Sequence, residues 1–347
     1  MQRVRLAAAA AAVLAALATA GCSGGDGGGD VPRAAPVGTH SAPLVRQLDQ
    51  VRSTEASRAW TTYGDLAAQR ALGGGRTPAQ LQMMSGYGWA TTQERGAEAR
   101  AQLGLDGGTA DQVVEVGESH GSGRFAGGID TSAVVSKARG LGARKDGSAG
   151  PLTLWRLAGD DRTHSAGPLA ELSRGTADFN VLAAADGTLV RAASRAGAEL
   201  LSADGRGRTL ARDPGFRAVA DCLGTPLAAT LTDTHVATGA AAPQPVDFVT
   251  GAGVVGTDPA RLTQLACRTA SSQDEAREVA AAVREALEHG RTRLSGMRWR
   301  DLLSGTEVTV TGGGHVVRLT GTSEKSPQLV LEMLRSGDLS DLLDTSG

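Results

Sequence analysis

The sequence predicts an α+β fold: two coupled lobes of antiparallel sheet packed with helices. Three observations carry this reading. Stretches with strand-like alternation trade places along the chain with stretches of helical spacing. Two glycine-containing turns, each flanked by β-prone runs, read as hairpins. The order strand, helix, intervening segment, hairpin, helix occurs twice, a weak internal duplication with low residue identity. The chain has 347 residues, enough for one large or two ordinary domains with a real core. Its 41% hydrophobic content sets it apart from a disordered polymer.

The elements follow in order. Leu44, Leu48 and Val51 have helical spacing. Trp60–Tyr63 is β-prone, and Leu66–Leu72 predicts a short helix ended by Gly73-Gly74-Gly75. Pro78 opens a helical stretch through Met84, and Glu94–Leu103 predicts a helix stopped at Gly104. Thr109 with Gln112 fits a capping box, predicting a short helix over Ala110–Val116. Then come a strand over Arg124–Asp130, a helix over Thr131–Leu141 and a strand over Leu152–Leu157. A hairpin of Phe179–Ala185 and Thr188–Ala193 turns at Asp186-Gly187, and a helix follows over Arg195–Leu201. Val246–Val255 and Gln264–Ala270 read as strands. Ser272 and Glu275 cap a helix running to His289, with Val279, Val283 and Leu287 as its apolar stripe. A second hairpin, Glu307–Thr311 with His315–Leu319, turns at Gly312-Gly313-Gly314, and Gln328–Leu334 closes the series as a helix. The lobes are placed at 44–238 and 246–347, around a junction holding Pro243 and Pro245.

The N-terminus carries the strongest functional signal. Arg3 and Arg5 precede an uncharged apolar run over Leu6–Ala20, then small residues. That is the layout of a secretory signal peptide, assigned to 1–21. Thr19-Ala20-Gly21-Cys22 resembles a bacterial lipobox, with Thr19 where leucine is usual. The resemblance implies diacylglycerol transfer to the Cys22 thiol and acyl anchoring, palmitate included. Residues 22–43, rich in Gly and Pro, read as a lipidated flexible tether. Two cysteines then remain for an oxidising compartment, and a Cys222–Cys267 disulfide is expected. It would stabilise the fold by roughly 4 kcal/mol in the chain-entropy model. Two buried free thiols are the alternative.

Composition excludes some functions. With 35 basic and 37 acidic residues the net charge is −2, which argues against a nucleic-acid partner. Aromatics at 3% argue against a stacking groove. Gly117-Glu118-Ser119-His120-Gly121 matches G-x-S-x-G, and makes Ser119 a candidate nucleophile. Asp233 with His235, or Asp301 with His315, would be its partners. The competing reading is a Gly-rich loop. Gly251-Ala252-Gly253-Val254-Val255-Gly256 matches a dinucleotide fingerprint, with Asp274 at the distance of a ribose-binding acid. Its β-branched residues argue instead for a glycine-containing strand. The six histidines lack paired helical spacing, so no metal and no cofactor are expected.

Trp60-Thr61-Thr62-Tyr63-Gly64-Asp65, Gly127-Gly128-Ile129-Asp130, Thr153-Leu154-Trp155 and Phe179-Asn180-Val181 together resemble a group of actinobacterial, Streptomyces-like secreted lipoproteins. The resemblance implies lipoprotein status and carries no catalytic residue with it. The expected protein is lipid-anchored on the extracellular face of the cell membrane. It is non-catalytic, and binds an envelope protein or a small ligand through a surface or the inter-lobe groove. A serine hydrolase using Ser119 and a two-lobed small-molecule receptor are the alternatives.

Overall fold

The computed structural model describes residues 42–117, 121–203, 207–235 and 244–344. Among them, twelve strands join in one antiparallel sheet. In chain order they are β1 (Thr61–Asp65), β2 (Gln112–Val116), β3 (Ser122–Ala126), β4 (Arg144–Ala149), β5 (Leu152–Arg156) and β6 (Val181–Ala185). Then follow β7 (Thr188–Ala192), β8 (Ala228–His235), β9 (Gln244–Val255), β10 (Thr263–Thr269), β11 (Ser304–Thr311) and β12 (Val316–Thr322). The helices are α1 (Pro43–Leu48), α2 (Glu55–Ala59), α3 (Leu66–Leu72), α4 (Ala90–Glu94), α5 (Gly96–Glu98) and α6 (Thr131–Gly140). The rest are α7 (Pro168–Ser173), α8 (Arg195–Leu200), α9 (Pro214–Leu223), α10 (Gln273–His289), α11 (Leu329–Ser336) and α12 (Asp338–Leu343). The protein is thus α+β.

Across the sheet the order is β11-β12-β10-β9-β8-β1-β2-β3-β7-β6-β5-β4. Read outward from the centre, β1-β2-β3-β7-β6 on one side has the same sequence of connections as β8-β9-β10-β12-β11 on the other. The β4–β5 hairpin is an addition to the first side. The two leading strands, β1 and β8, meet antiparallel at the centre, with Thr62 opposite Thr230. The expected boundary at 238–246 leaves no gap in the sheet, because β8 on its N-terminal side pairs with β9 beyond it. Both outermost pairings are irregular, with register shifts between Lys145 and Ser148 in β4 and between Ser304 and Glu307 in β11.

Period-2 alternation sorts the side chains onto two faces. One face is a continuous apolar core. Tyr63, Val114, Val190, Leu231, Leu265 and Val316 lie there with residues of α1, α8 and α9. The other face is split. Val113, Phe125, Leu182 and Leu189 pack with α6 on the first half. Ala252, Val254, Ala266, Val317 and Leu319 pack with α10, α11 and α12 on the second.

One expectation is overturned locally. Ala110–Val116 is not a helix; Gln112–Val116 is β2, paired with both β1 and β3. Asp106, not Thr109, caps the preceding turn, its carboxylate accepting from the Gly108 amide at 3.1 Å. The β-branched Val113, Val114 and Val116 then extend into the sheet. The elements α2, α4, α7, α9, α12, β4 and β8 lacked an expectation. Cys222 on α9 and Cys267 on β10 form the disulfide, with Cα atoms 6.4 Å apart.

Candidate functional site

The split face leaves a polar strip near its centre. Thr62, Glu115, Gly123 and Arg191 are successive cross-strand neighbours on β1, β2, β3 and β7. Arg191 is fully buried, and its guanidinium ion-pairs with Glu115 two strands away. Gly123 lies between them. A Cβ there would stand 3.2 Å from Arg191 Nε, so the missing side chain leaves the guanidinium its path across β3. Arg191 Nε also donates to Thr92 Oγ1 at 2.6 Å, and its charge lies 5.7 Å from the centre of the Phe179 ring. A buried pair needs further partners to hold, and the guanidinium has them in Thr92, the Gly121 carbonyl at 2.5 Å and the Phe179 ring.

A second close approach builds the wall beside this strip. The segment around Tyr87 and Gly88 lies flat on the sheet. A Cβ at Gly64 would stand 2.4 Å from the Tyr87 carbonyl oxygen, and one at Gly88 would stand 2.6 Å from that of Val113. Only glycine lets the two backbones touch, and Gly88 also has a positive φ of 82°. Leu81 and Met84 of this segment bury into the second-half core, while Trp89 buries into the first-half core.

Between that segment and α11 is a cleft of about 410 Å³, within the usual range for small-molecule sites. Trp60, Thr62, Glu115 and Gly117 line its strand side. Met83, Tyr87, Ala90 and Gln93 line one wall, and Gln328, Leu331, Glu332 and Arg335 the other. Gln328 Nε2 donates to Glu332 Oε1 at 2.7 Å. Its Oε1 is buried and has no hydrogen-bond partner among the described residues. Burial pushes the Tyr87 phenol up to about 12, the neighbouring Arg335 opposing that shift and Glu332 adding to it. The phenol therefore remains a neutral hydroxyl at neutral pH. The cleft thus offers carboxylate and amide acceptors beside apolar surface from Trp60, Met83 and Leu331. Met83 also lines a neighbouring, more open cleft of about 710 Å³, with Leu262, Thr322 and Pro327.

The sequence-predicted residues fall elsewhere. Cys22, Ser119 and His120 lie outside the described residues. The strands on either side of the G-x-S-x-G stretch, β2 and β3, pair with each other. A hydrolase elbow runs from strand into helix, whereas this stretch joins a hairpin. Asp233 and His235 do not serve one another. Asp233 accepts from Arg58 Nε at 2.6 Å. His235 sits between Asp341, at 2.9 Å, and Asp344, at 3.3 Å, and ties β8 to the end of α12. Asp301 lies in a 3-10 turn and His315 in the turn before β12. Gly251 and Gly253 are inside β9, not at a helix start. A Cβ at Gly251 would stand 2.4 Å from Val219 Cγ1, so the glycine admits α9 against the sheet. Asp274 is engaged by Arg277 at 2.7 Å.

Among the described residues no group of three or more His, Cys, Asp or Glu is placed to hold a metal ion. No described helix is long and apolar enough to cross a membrane. Sequence reading missed the Glu115–Arg191 pair and the whole cleft. A charged residue on each of two otherwise apolar strands was the available signal. No protein-family model matches this chain, no curated protein matches it, and no solved structure matches it.

Proposed function

We propose that this is an extracytoplasmic lipoprotein, held to the membrane through Cys22, that binds a small amphipathic ligand in the cleft between its halves. The two halves are read as a duplicated unit, a reading supported by their matching strand order. The cleft then occupies the seam where the units join, as ligand sites between repeated units commonly do. The observation that carries the binding reading is the cleft's lining, where the Glu332 carboxylate and the Tyr87 phenol stand beside the apolar surface of Trp60, Leu331 and Met83. A ligand bearing an amine or hydroxyl donor would pair with that carboxylate. The apolar body of such a ligand would lie along Trp60, Leu331 and Met83.

The test is a thermal-shift screen of amine- and hydroxyl-bearing amphiphiles. A true ligand at a hundredfold excess over its Kd raises Tm by roughly 5 °C. Ala90→Trp, which fills the cleft from its rim, abolishes the shift. A shift that survives Ala90→Trp places the ligand elsewhere and sinks the reading. The serine-hydrolase alternative is separated by a serine-reactive probe: labelling that is lost in Ser119→Ala would favour it.

A further inference from the structure

Among the described residues three large hydrophobic side chains are exposed: Met83 at 60%, Leu294 at 63% and Met297 at 39%. Two of them share one short loop between α10 and β11. That loop is closed at its base by a bridge between Arg291 and Arg298. The Thr292 amide donates to the Met297 carbonyl at 2.8 Å, and the Gly296 amide to the Thr292 carbonyl at 3.0 Å. Thr292 and Ser295 share a hydroxyl hydrogen bond at 2.7 Å. The Leu294 amide donates to Asp338 Oδ1 at 3.0 Å, and Arg293 lies 3.6 Å from Asp341, so the loop is held against α12. Its apolar tip is thus presented by a fixed hairpin. Arg291, Arg293, Arg298 and Arg300 are all exposed on this segment; Arg293 faces Asp341, and Asp338, Asp341 and Asp344 line the hollow beside Arg291 and Arg293.

An apolar tip flanked along the chain by exposed arginines, Arg298 and Arg300 on its C-terminal side, is complementary to an anionic lipid surface. The apolar residues gain by entering the headgroup–acyl boundary, and the guanidiniums pair with lipid phosphates. We infer that the 291–300 loop is a membrane-contact site that seats Leu294 and Met297 in an anionic leaflet. The inference goes beyond ligand binding in the cleft and does not require acylation of Cys22.

The test places an environment-sensitive fluorophore on Leu294→Cys in the full chain carrying Cys22→Ser. Cys222 and Cys267 are bonded to each other, so the new thiol is unique. On vesicles containing phosphatidylglycerol the label shifts to the blue and is shielded from an aqueous quencher. The same label on Lys145→Cys, at the other edge of the sheet, stays aqueous. Arg298→Gln and Arg300→Gln each reduce the insertion equilibrium about fivefold, and high salt reduces it further. A label at 294 that stays aqueous on anionic vesicles overturns the inference. So does equal insertion into pure phosphatidylcholine, or an equal shift at Lys145→Cys. Shielding by a co-purified protein without insertion into vesicles would make the loop a protein-docking surface instead, and would overturn it too.

Discussion

Arg191 and Glu115 show what a buried charge demands at the scale of single residues. Arg191→Met leaves the Glu115 carboxylate desolvated without its guanidinium, and should cost about 3–5 kcal/mol. The double variant Arg191→Met/Glu115→Leu should recover most of that loss in urea unfolding. A double variant no better than the single would show that the packing of Arg191, not its charge, matters. Tyrosine gives a second residue-scale prediction. The chain has two tyrosines, and burial raises both phenols, Tyr87 to about 12 and Tyr63 further, with Asp65 adding to the shift of Tyr63. Absorbance at 295 nm should stay flat through pH 10–11. Because the folded pKa is the higher one, the stability that Tyr87 contributes is whole below about 10, its unfolded value, and is lost as pH rises through about 12. A phenolate step near pH 10 in the folded protein would contradict the burial of both rings. Glu275 works in the opposite sense. Its carboxylate accepts from Ser271 Oγ and faces Arg268, and these hold its pKa below the usual carboxylate range. That stability is present above about pH 4.3, the unfolded value, and is lost as pH falls through the lower folded one. Glu275→Gln should therefore lower Tm at pH 7 and leave it unchanged at pH 2.

At the scale of elements, the packing of α9 on β9 depends on a close contact. Gly251→Ala forces a methyl against Val219 and should cost about 1–3 kcal/mol in urea unfolding. A neutral result would mean that α9 shifts freely on the sheet. The elements easiest to read in the sequence were those that carry their own punctuation. The Asp186-Gly187 turn, the Ser272 cap and the glycines after Leu72 mark boundaries with local chemistry, and the elements follow them. The capping pair Thr109 and Gln112 misled because a local hydrogen-bonding pattern competes with strand pairing, and two flanking strands prevailed. α9 itself was legible in retrospect: Asp213 accepts from the amides of Gly215 and Phe216, and Pro214 occupies the first turn. The cleft was not legible, because it depends on which distant strands become neighbours. Thr62, Glu115 and Arg191 are 53 and 76 positions apart, and no local pattern links them.

For the whole molecule, one sheet and one continuous core face join the halves. Unfolding should therefore be a single cooperative transition, with tryptophan fluorescence and far-ultraviolet dichroism coinciding. A fragment ending before β8 would expose the β1 edge and half of the shared core, and is expected to stay unfolded. Independent folding of residues 42–227 would instead show that the halves are separable bodies. The Cys222–Cys267 bond adds to this coupling, since it pins the last helix of the first half to a strand of the second. Replacing both cysteines by alanine should lower stability by about 2–5 kcal/mol, measured against the oxidised parent without reductant. Reduction of the parent should reproduce that loss. If it does not, the bond contributes nothing to the native state.

The irregular outermost strands bear on how two copies of the chain would meet edge to edge. An open sheet ends in two rows of backbone donors and acceptors, each a template for another chain. Here β4 presents Arg144 and Lys145 beside its register shift, and β11 presents Glu307 beside its own. A bulge twists the edge away from a flat partner, and a charge there has no place in a new ladder. The sheet stops growing at twelve strands because both of its ends are built to refuse a thirteenth.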